Sequence, residues 1–331
     1  MMTNLRSAST CTTIVSPDRV GARLTRRSRY SGTRRNLGVR RCVPRFRRAQ
    51  NSETAVTRLD LLDADRIEDV FELCQRCLPE PPTLDELSSS LYSPDDIVTV
   101  RGAGGIGIVA TVCSGIQGYV RLIGVDPAVR GRGHGSALLL TAEEVLSARG
   151  ATNAQIGADP PYYLYPGVET TQTAMLGLLE KHRYQRAESN FNMSVDLGAL
   201  PPDPGGYDVA GAGEHGEVSA WMREHWPNWE AEVLRALSRS TLLISRDDKG
   251  IAAFCAYDVN RGGVLGPTAV RGDLWGKGVG RPLIVGTLHR MRAAGRRHAE
   301  ISWVGPIRPY ARVGARVNRV FFVYRRGLPA R

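Results

Sequence analysis

Between Gly118 and Arg149 the chain reads GYVRLIGVDPAVRGRGHGSALLLTAEEVLSAR, the stretch best equipped for chemistry. Glycines 131, 133 and 135 alternate with Arg132 and His134, directly after Arg130. A glycine backbone can wrap an anion with no Cβ in the way. The unpaired N–H groups of a following helix, and its dipole, favour negative charge there. Arg130 and Arg132 add fixed positive charge. Such a turn can hold a phosphate or pyrophosphate. A Walker A loop would need Gly-Lys-Ser or Gly-Lys-Thr, and a dinucleotide fingerprint would need glycine where Ser136 stands. The competing reading is an ordinary strand-to-helix turn of an α/β domain.

The elements that must position this turn are legible around it. The apolar run Tyr119 to Val125 predicts a strand, ended by Asp126 and Pro127. Apolar spacing at Leu138, Leu139, Ala142, Val145 and Leu146 predicts the helix that follows. The unit then recurs. Val125 and Val270, Gly133 and Gly278, Gly135 and Gly280, Gly150 and Gly295, and Ile156 and Ile301 all stand 145 positions apart, without a gap. The repeat of a whole strand–turn–helix–strand unit is hard to explain by chance. In the second turn Trp275 replaces Arg130, and Asp273 weakens the positive field. Lys277 partly restores it, so Lys277, Gly278, Val279 and Gly280 are the second set of candidate anion ligands.

Arg130, Gly133 and Gly135 match a motif: Gln or Arg, two residues, Gly, one residue, then Gly or Ala. In this the chain resembles the GNAT (GCN5-related) N-acetyltransferases, over about residues 54 to 326. The resemblance implies an α/β fold of two tandem GNAT-type domains, 53–198 and 199–331. Each is expected to be a mixed, mostly antiparallel sheet with a splayed central strand pair, flanked by helices. It implies acetyl-CoA as co-substrate, with Ile123, Val125, Arg130, Gly131, Arg132, Gly133, His134, Gly135 and Ser136 forming the first binding site. Loop amides would take the pyrophosphate, and the strand would pair with the pantetheine arm. No metal is expected.

The implied reaction moves an acetyl group to the amine of a small acceptor. The family often protonates the departing thiolate from a Tyr in a Tyr-x-x-x-Gly-Phe-like pattern. Tyr310 to Ala315 matches it with Ala in place of Phe, so Tyr310 is the candidate general acid; a packed helix tyrosine is the other reading. Leu179 stands at the equivalent place in the first copy. The first copy is thus expected to bind coenzyme better, while the second keeps the acid. Non-catalytic acyl-CoA binding or scaffolding, with both copies degenerate, is the rival function. A macromolecular acetyltransferase guided by the basic tail is a third.

Around these motifs, Asp60 to Leu78 and Thr83 to Leu91 predict helices, and Ile97 to Val100 and Ile106 to Cys113 predict strands. The segment 159–168 is rich in aromatic residues and proline. It reads as an acceptor wall or as simple loop packing, and Tyr162, Tyr163 or Tyr165 could serve there as the acid. Asp159 is a candidate base or a loop cap, and Glu300 lies in the equivalent strand of the second copy. Trp221, Trp226 and Trp229 suggest an aromatic acceptor pocket or, preferably, a contact between the domains. Cys74 and Cys77 have no second pair or nearby His, so they read as helix-face or core residues rather than zinc ligands.

Charge is unevenly spread. Residues 1–52 hold thirteen Arg against one acid, Asp18, while the remaining 279 residues hold 31 basic and 32 acidic side chains. The tail is expected to be disordered. It reads as a basic arm, a transit-like peptide, or a stretch upstream of a start nearer Val56. The last is preferred, because no aromatic interleaving accompanies the charge. Nucleic acid is not an expected partner except through this tail. No apolar run approaches the roughly 20 residues that span a bilayer, so no membrane partner is expected, and the cytoplasm is the expected compartment.

Overall fold

The computed structural model describes residues 59–93 and 98–329. The tail of residues 1–52, and Ile97 at the start of one expected strand, lie outside the described residues.

The first elements are β1 (Asp60–Leu61), α1 (Ile67–Cys77) and α2 (Leu84–Leu91). The first helix is shorter than periodicity predicts, because Asp60 and Leu61 pair with Gly102 and Arg101 as an edge strand. α1 buries Val70, Leu73, Cys74 and Cys77, the one-sided stripe of an amphipathic helix. α2 starts on a capping box: the Thr83 hydroxyl accepts from the Glu86 N–H (3.2 Å), and the Glu86 carboxylate accepts from the Thr83 N–H (2.9 Å).

Then come β2 (Thr99–Ala103), β3 (Gly107–Ser114), β4 (Gln117–Val125), α3 (His134–Ala148), β5 (Asn153–Ile156), β6 (Val168–Glu169), α4 (Thr173–Lys181) and β7 (Gln185–Asp196). A matching series follows: β8 (Asp208–Val209), α5 (His215–His225), α6 (Glu230–Ser238), β9 (Leu242–Asp247), β10 (Gly250–Tyr257), β11 (Val264–Val270), α7 (Gly280–Ala293), β12 (His298–Ile301), α8 (Ile307–Ala311) and β13 (Arg316–Gly327).

Among the described residues the strands form one mixed sheet, ordered β1-β2-β3-β4-β5-β13-β7-β12-β11-β10-β9-β8, with β6 added on β13. The order mirrors itself about the β13–β7 pair. Most neighbours are antiparallel. β4 runs parallel to β5 only from Gln117 to Val120, and β11 parallel to β12 only at Val264 and Leu265. Each parallel ladder stops at a bulge. On β4, Val120 faces Thr111 and Leu122 faces Ala110, so Arg121 is the extra residue. On β11, Leu265 faces Tyr257 and Thr268 faces Cys255, which places Gly266 and Pro267 in the bulge. Arg121 and Gly266 stand 145 positions apart, so the bulge repeats with the sequence.

The closing strands cross over. β7 ends the first series but pairs with β12, while β13 ends the second and pairs with β5. They also pair with each other, from Arg316↔Ser194 to Arg325↔Gln185. Packing follows the pairing. Met193, Val195 and Leu197 are buried among Leu265, Leu283 and Ile301 of the second series. Tyr324 and Leu328 are buried among Leu138, Leu146 and Ile156 of the first. On the opposite face of the sheet, α1 and α2 cover one apolar cluster, and α5 and α6 cover another.

Candidate active site

The two glycine turns have the same backbone shape. Gly131 and Gly133 sit at φ 77° and 90°, and Gly276 and Gly278 at 78° and 86°. Side chains rarely adopt this left-handed region, which explains the glycine spacing. α3 and α7 begin directly after these turns, so their first amides open onto them.

Arg130 is turned back from the loop. Its Nε donates to the carbonyl of Val125 (3.0 Å) and its Nη2 to the carbonyl of Cys77 (3.0 Å), tying the turn to β4 and to the end of α1. Trp275 does the same at the second turn, its indole N–H donating to the Val270 carbonyl (2.8 Å). Arg130 stays exposed and charged, and further charge comes from exposed Arg132 and from a group the sequence did not flag. Lys181 Nζ lies 3.3 Å and His182 Nε2 2.9 Å from the Ser136 hydroxyl, at the first turn of α3. Burial, then the neighbouring Lys181, lowers the His182 pKa. His134 is half-buried in the same turn. In the second turn Lys277 is exposed, Val279 and Gly280 are half-buried, and Arg271 is committed to Asp247 and Asp273. Those bonds hold the Asp273 carboxyl down at about 2.

Beyond Val120 the first parallel ladder ends in a slot. Ile123, Ile156, Gly157, Val168 and Met175 line it, while Leu78, Pro79 and Tyr165 narrow it to a cavity of about 50 Å³. Val125 lies past the slot at the turn. Arg121 also lines the slot, and its side chain is fully buried. Its guanidinium pairs with the fully buried Asp159, donates to the Ser90 carbonyl, and lies over the Tyr162 ring at 4.8 Å. Asp159 is therefore an ion-pair partner. Glu300 is engaged too: the Asn192 amide donates to it, and Arg319 pairs with it at 3.3 Å and with Glu169 at 2.8 Å.

Tyr310 is nine-tenths buried on the short helix α8. Burial, then nearby Cys255, raises its pKa, opposed by a hydrogen bond with the Thr268 hydroxyl. Thr268 in turn lies 3.1 Å from Cys255 Sγ. Tyr310 is thus brought to β11, just past the second bulge. Its counterpart Leu179 is fully buried in the core beneath α3 and α4. The other tyrosines have separate roles. The Tyr162 ring meets two guanidiniums, Arg121 at 4.8 Å and Arg235 at 4.5 Å, Tyr163 meets Trp303 edge to face (5.3 Å between centroids), and the Tyr165 hydroxyl donates to the Glu80 carbonyl (3.3 Å).

Two further outcomes differ from expectation. The three tryptophans pack on the second series' own cluster beneath α5 and α6, with Trp226 and Trp229 stacked at 5.1 Å, rather than across the seam. Reasoning from sequence also missed Arg121. A lone arginine within the apolar run Tyr119–Val125 was the available signal. Cys74 and Cys77 are core residues as read, and Cys77 touches the slot strand: a Cβ at Gly124 would meet its Sγ at 2.5 Å. Among the described residues no cluster of His, Cys, Asp and Glu could hold a metal ion, and no helix is long and apolar enough to cross a membrane.

Comparison with known proteins bears on this geometry. Residues 68–161 match the model of the Acetyltransferase (GNAT) family. No curated protein matches the chain. Among solved structures, a GCN5-related N-acetyltransferase from Sphaerobacter thermophilus is similar at 19% identity and a TM-score of 0.63, over 82% of this chain and 95% of that one. A tandem GNAT protein from the clavulanic acid biosynthesis pathway is similar at 15% and 0.62, over 82% and 99%. A GCN5-related glucosamine N-acetyltransferase region of a fungal multi-domain GH3 β-N-acetylglucosaminidase is similar at 18% and 0.68, over 81% of this chain. This chain spans only 38% of that protein's length. Residues 68–161 are therefore similar to the Acetyltransferase (GNAT) family, and the chain has a mixed α/β fold of GNAT type.

Proposed function

We propose that the chain is an acetyl-CoA-dependent N-acetyltransferase that acts on the amine of a small acceptor. It is read as two GNAT-type domains, 53–198 and 199–331, that exchange their closing strands. The observation that carries this reading is the second turn. It repeats the first in its glycine φ angles and in the hydrogen bond that clamps it to its strand.

Acetyl-CoA supplies the activated acetyl group. In the first domain the amides of residues 133–136, with Arg132, Ser136 and Lys181, bind its phosphates. In the second, Lys277 and the amides of Gly278, Val279 and Gly280 do so. The second domain is the better reaction site, because it has Tyr310 where the first has the fully buried Leu179. Tyr310 stays protonated there across the neutral range, since burial disfavours the phenolate. It can then donate to the departing thiolate beside Thr268. The buried Leu179 in place of an acid favours a second reading for the first domain, a coenzyme-binding scaffold without turnover. The cytoplasm is the compartment assigned, with nucleic-acid contact only through the basic tail. Tyr310→Phe should lower kcat about a hundredfold with acetyl-CoA affinity retained. Equal thiol-release rates across an amine panel would move the acid elsewhere.

A further inference from the structure

A cavity of about 460 Å³ lies at the seam of the two series, apart from both glycine turns. α2, segment 159–168, α6 and the turn after β10 line it. Its floor is built, since Ser90, Tyr162, Leu164 and Val259 are each at most 4% exposed, while Asp85, Ser88 and Arg239 stand exposed at its rim. The volume suits a small molecule.

The wall from α6 is cationic and pre-organised. The Arg235 guanidinium lies over the Tyr162 ring (4.5 Å) and donates to the Pro161 carbonyl (2.6 Å) and to Asn260 Oδ1 (2.8 Å). Arg239 is fixed at one nitrogen by the carbonyls of Asp258 and Val259. Among the described residues no carboxylate pairs with Arg239. Asp258, which is close by, is committed to Arg296. Glu232 stands behind Asn260, 2.7 Å from its amide nitrogen, and burial pushes its carboxyl up to about 8. At neutral pH it does little to neutralise the wall.

The wall from α2 has the opposite character. Asp85 lies in the first helical turn, and its carboxylate makes no ion pair among the described residues. Ser88 and Ser89 follow on the same helix, the Ser89 hydroxyl donating to the Asp85 carbonyl (2.7 Å). A dianion would gain the arginines but meet Asp85, and a diamine would gain Asp85 but meet the arginines. A molecule carrying one charge of each sign satisfies both walls.

We propose that this seam cavity is a binding site for a small amino-carboxylate, its carboxylate on Arg235 and Arg239 and its ammonium on Asp85 and the α2 hydroxyls. The site is independent of the acetyl-transfer reading, because binding alone reports it.

The full chain, without acetyl-CoA, is titrated by calorimetry with L-serine, L-glutamate and 4-aminobutanoate, and with succinate and 1,4-diaminobutane as single-sign controls. At least one amino-carboxylate should bind below about 1 mM and tighter than both controls. Arg239→Gln and Asp85→Asn, both at exposed positions, should each weaken it about tenfold with the thermal melt unchanged. No binding by any amino-carboxylate overturns the proposal. So does equal binding by either control, or affinity unchanged in both variants.

Discussion

Arg130 and Trp275, 145 positions apart, make the same hydrogen bond: each donates from a side-chain nitrogen to the last carbonyl of the strand before its glycine turn, Val125 at 3.0 Å and Val270 at 2.8 Å. From sequence alone, tryptophan at this position reads as the loss of a phosphate ligand. The shared bond shows that the position is a clamp. Its chemical requirement is a side-chain N–H donor on a planar group, which arginine and tryptophan both supply.

Arg130→Trp should accordingly keep most of the first turn's acetyl-CoA affinity, whereas Arg130→Ala should lose the clamp and about 1–2 kcal/mol of stability. Calorimetry and thermal melts on the two variants separate clamp from ligand. Equal loss of coenzyme affinity in both would restore Arg130 as a phosphate ligand.

The exchanged strands make the two halves interdependent. Met193, Val195 and Leu197 are core residues of the second series, and each buried side chain of this kind contributes roughly 1.5–3 kcal/mol. A chain ending at residue 198 would carry them without their partners and would leave β5 without β13. It should not fold as a monomer, and residues 53–331 should melt in one transition. Two separated transitions in calorimetry would contradict the exchange.

This exchange marks the limit of what the sequence could show. The 145-residue offset, the glycine spacing and the amphipathic stripe of α1 are local patterns, and the structure meets each of them. Which strand pairs with which is not local: β7 and β13 hold the same places in their series whether or not they cross. The Arg121–Asp159 pair was hidden for the same reason. It joins β4 to a loop 38 positions on, and only the bulge turns that arginine inward. Asp159 looked like a loop cap or a base because its partner sits in an apolar strand.

Glu232 makes stability depend on pH. Burial raises its carboxyl from 4.5 to about 8, against the weaker opposing pull of Arg235 and a hydrogen bond from Asn260. Between those values the folded state holds a proton that the unfolded state has released. Stability should therefore fall as pH rises from about 5 to 8, by up to about 1.4 kcal/mol per unit, and then level off. Glu232→Gln should remove that slope. Denaturant melts across this window check it, and an unchanged slope in the variant would assign it to another group.

The most direct test of the central claim is titration of the full chain with acetyl-CoA by calorimetry. Two glycine-turn cradles predict binding at micromolar to millimolar concentration. Gly133→Asp and Gly278→Asp should each weaken it, and the double variant should abolish it. No heat from the wild-type chain at millimolar acetyl-CoA, or binding untouched in the double variant, would contradict the account.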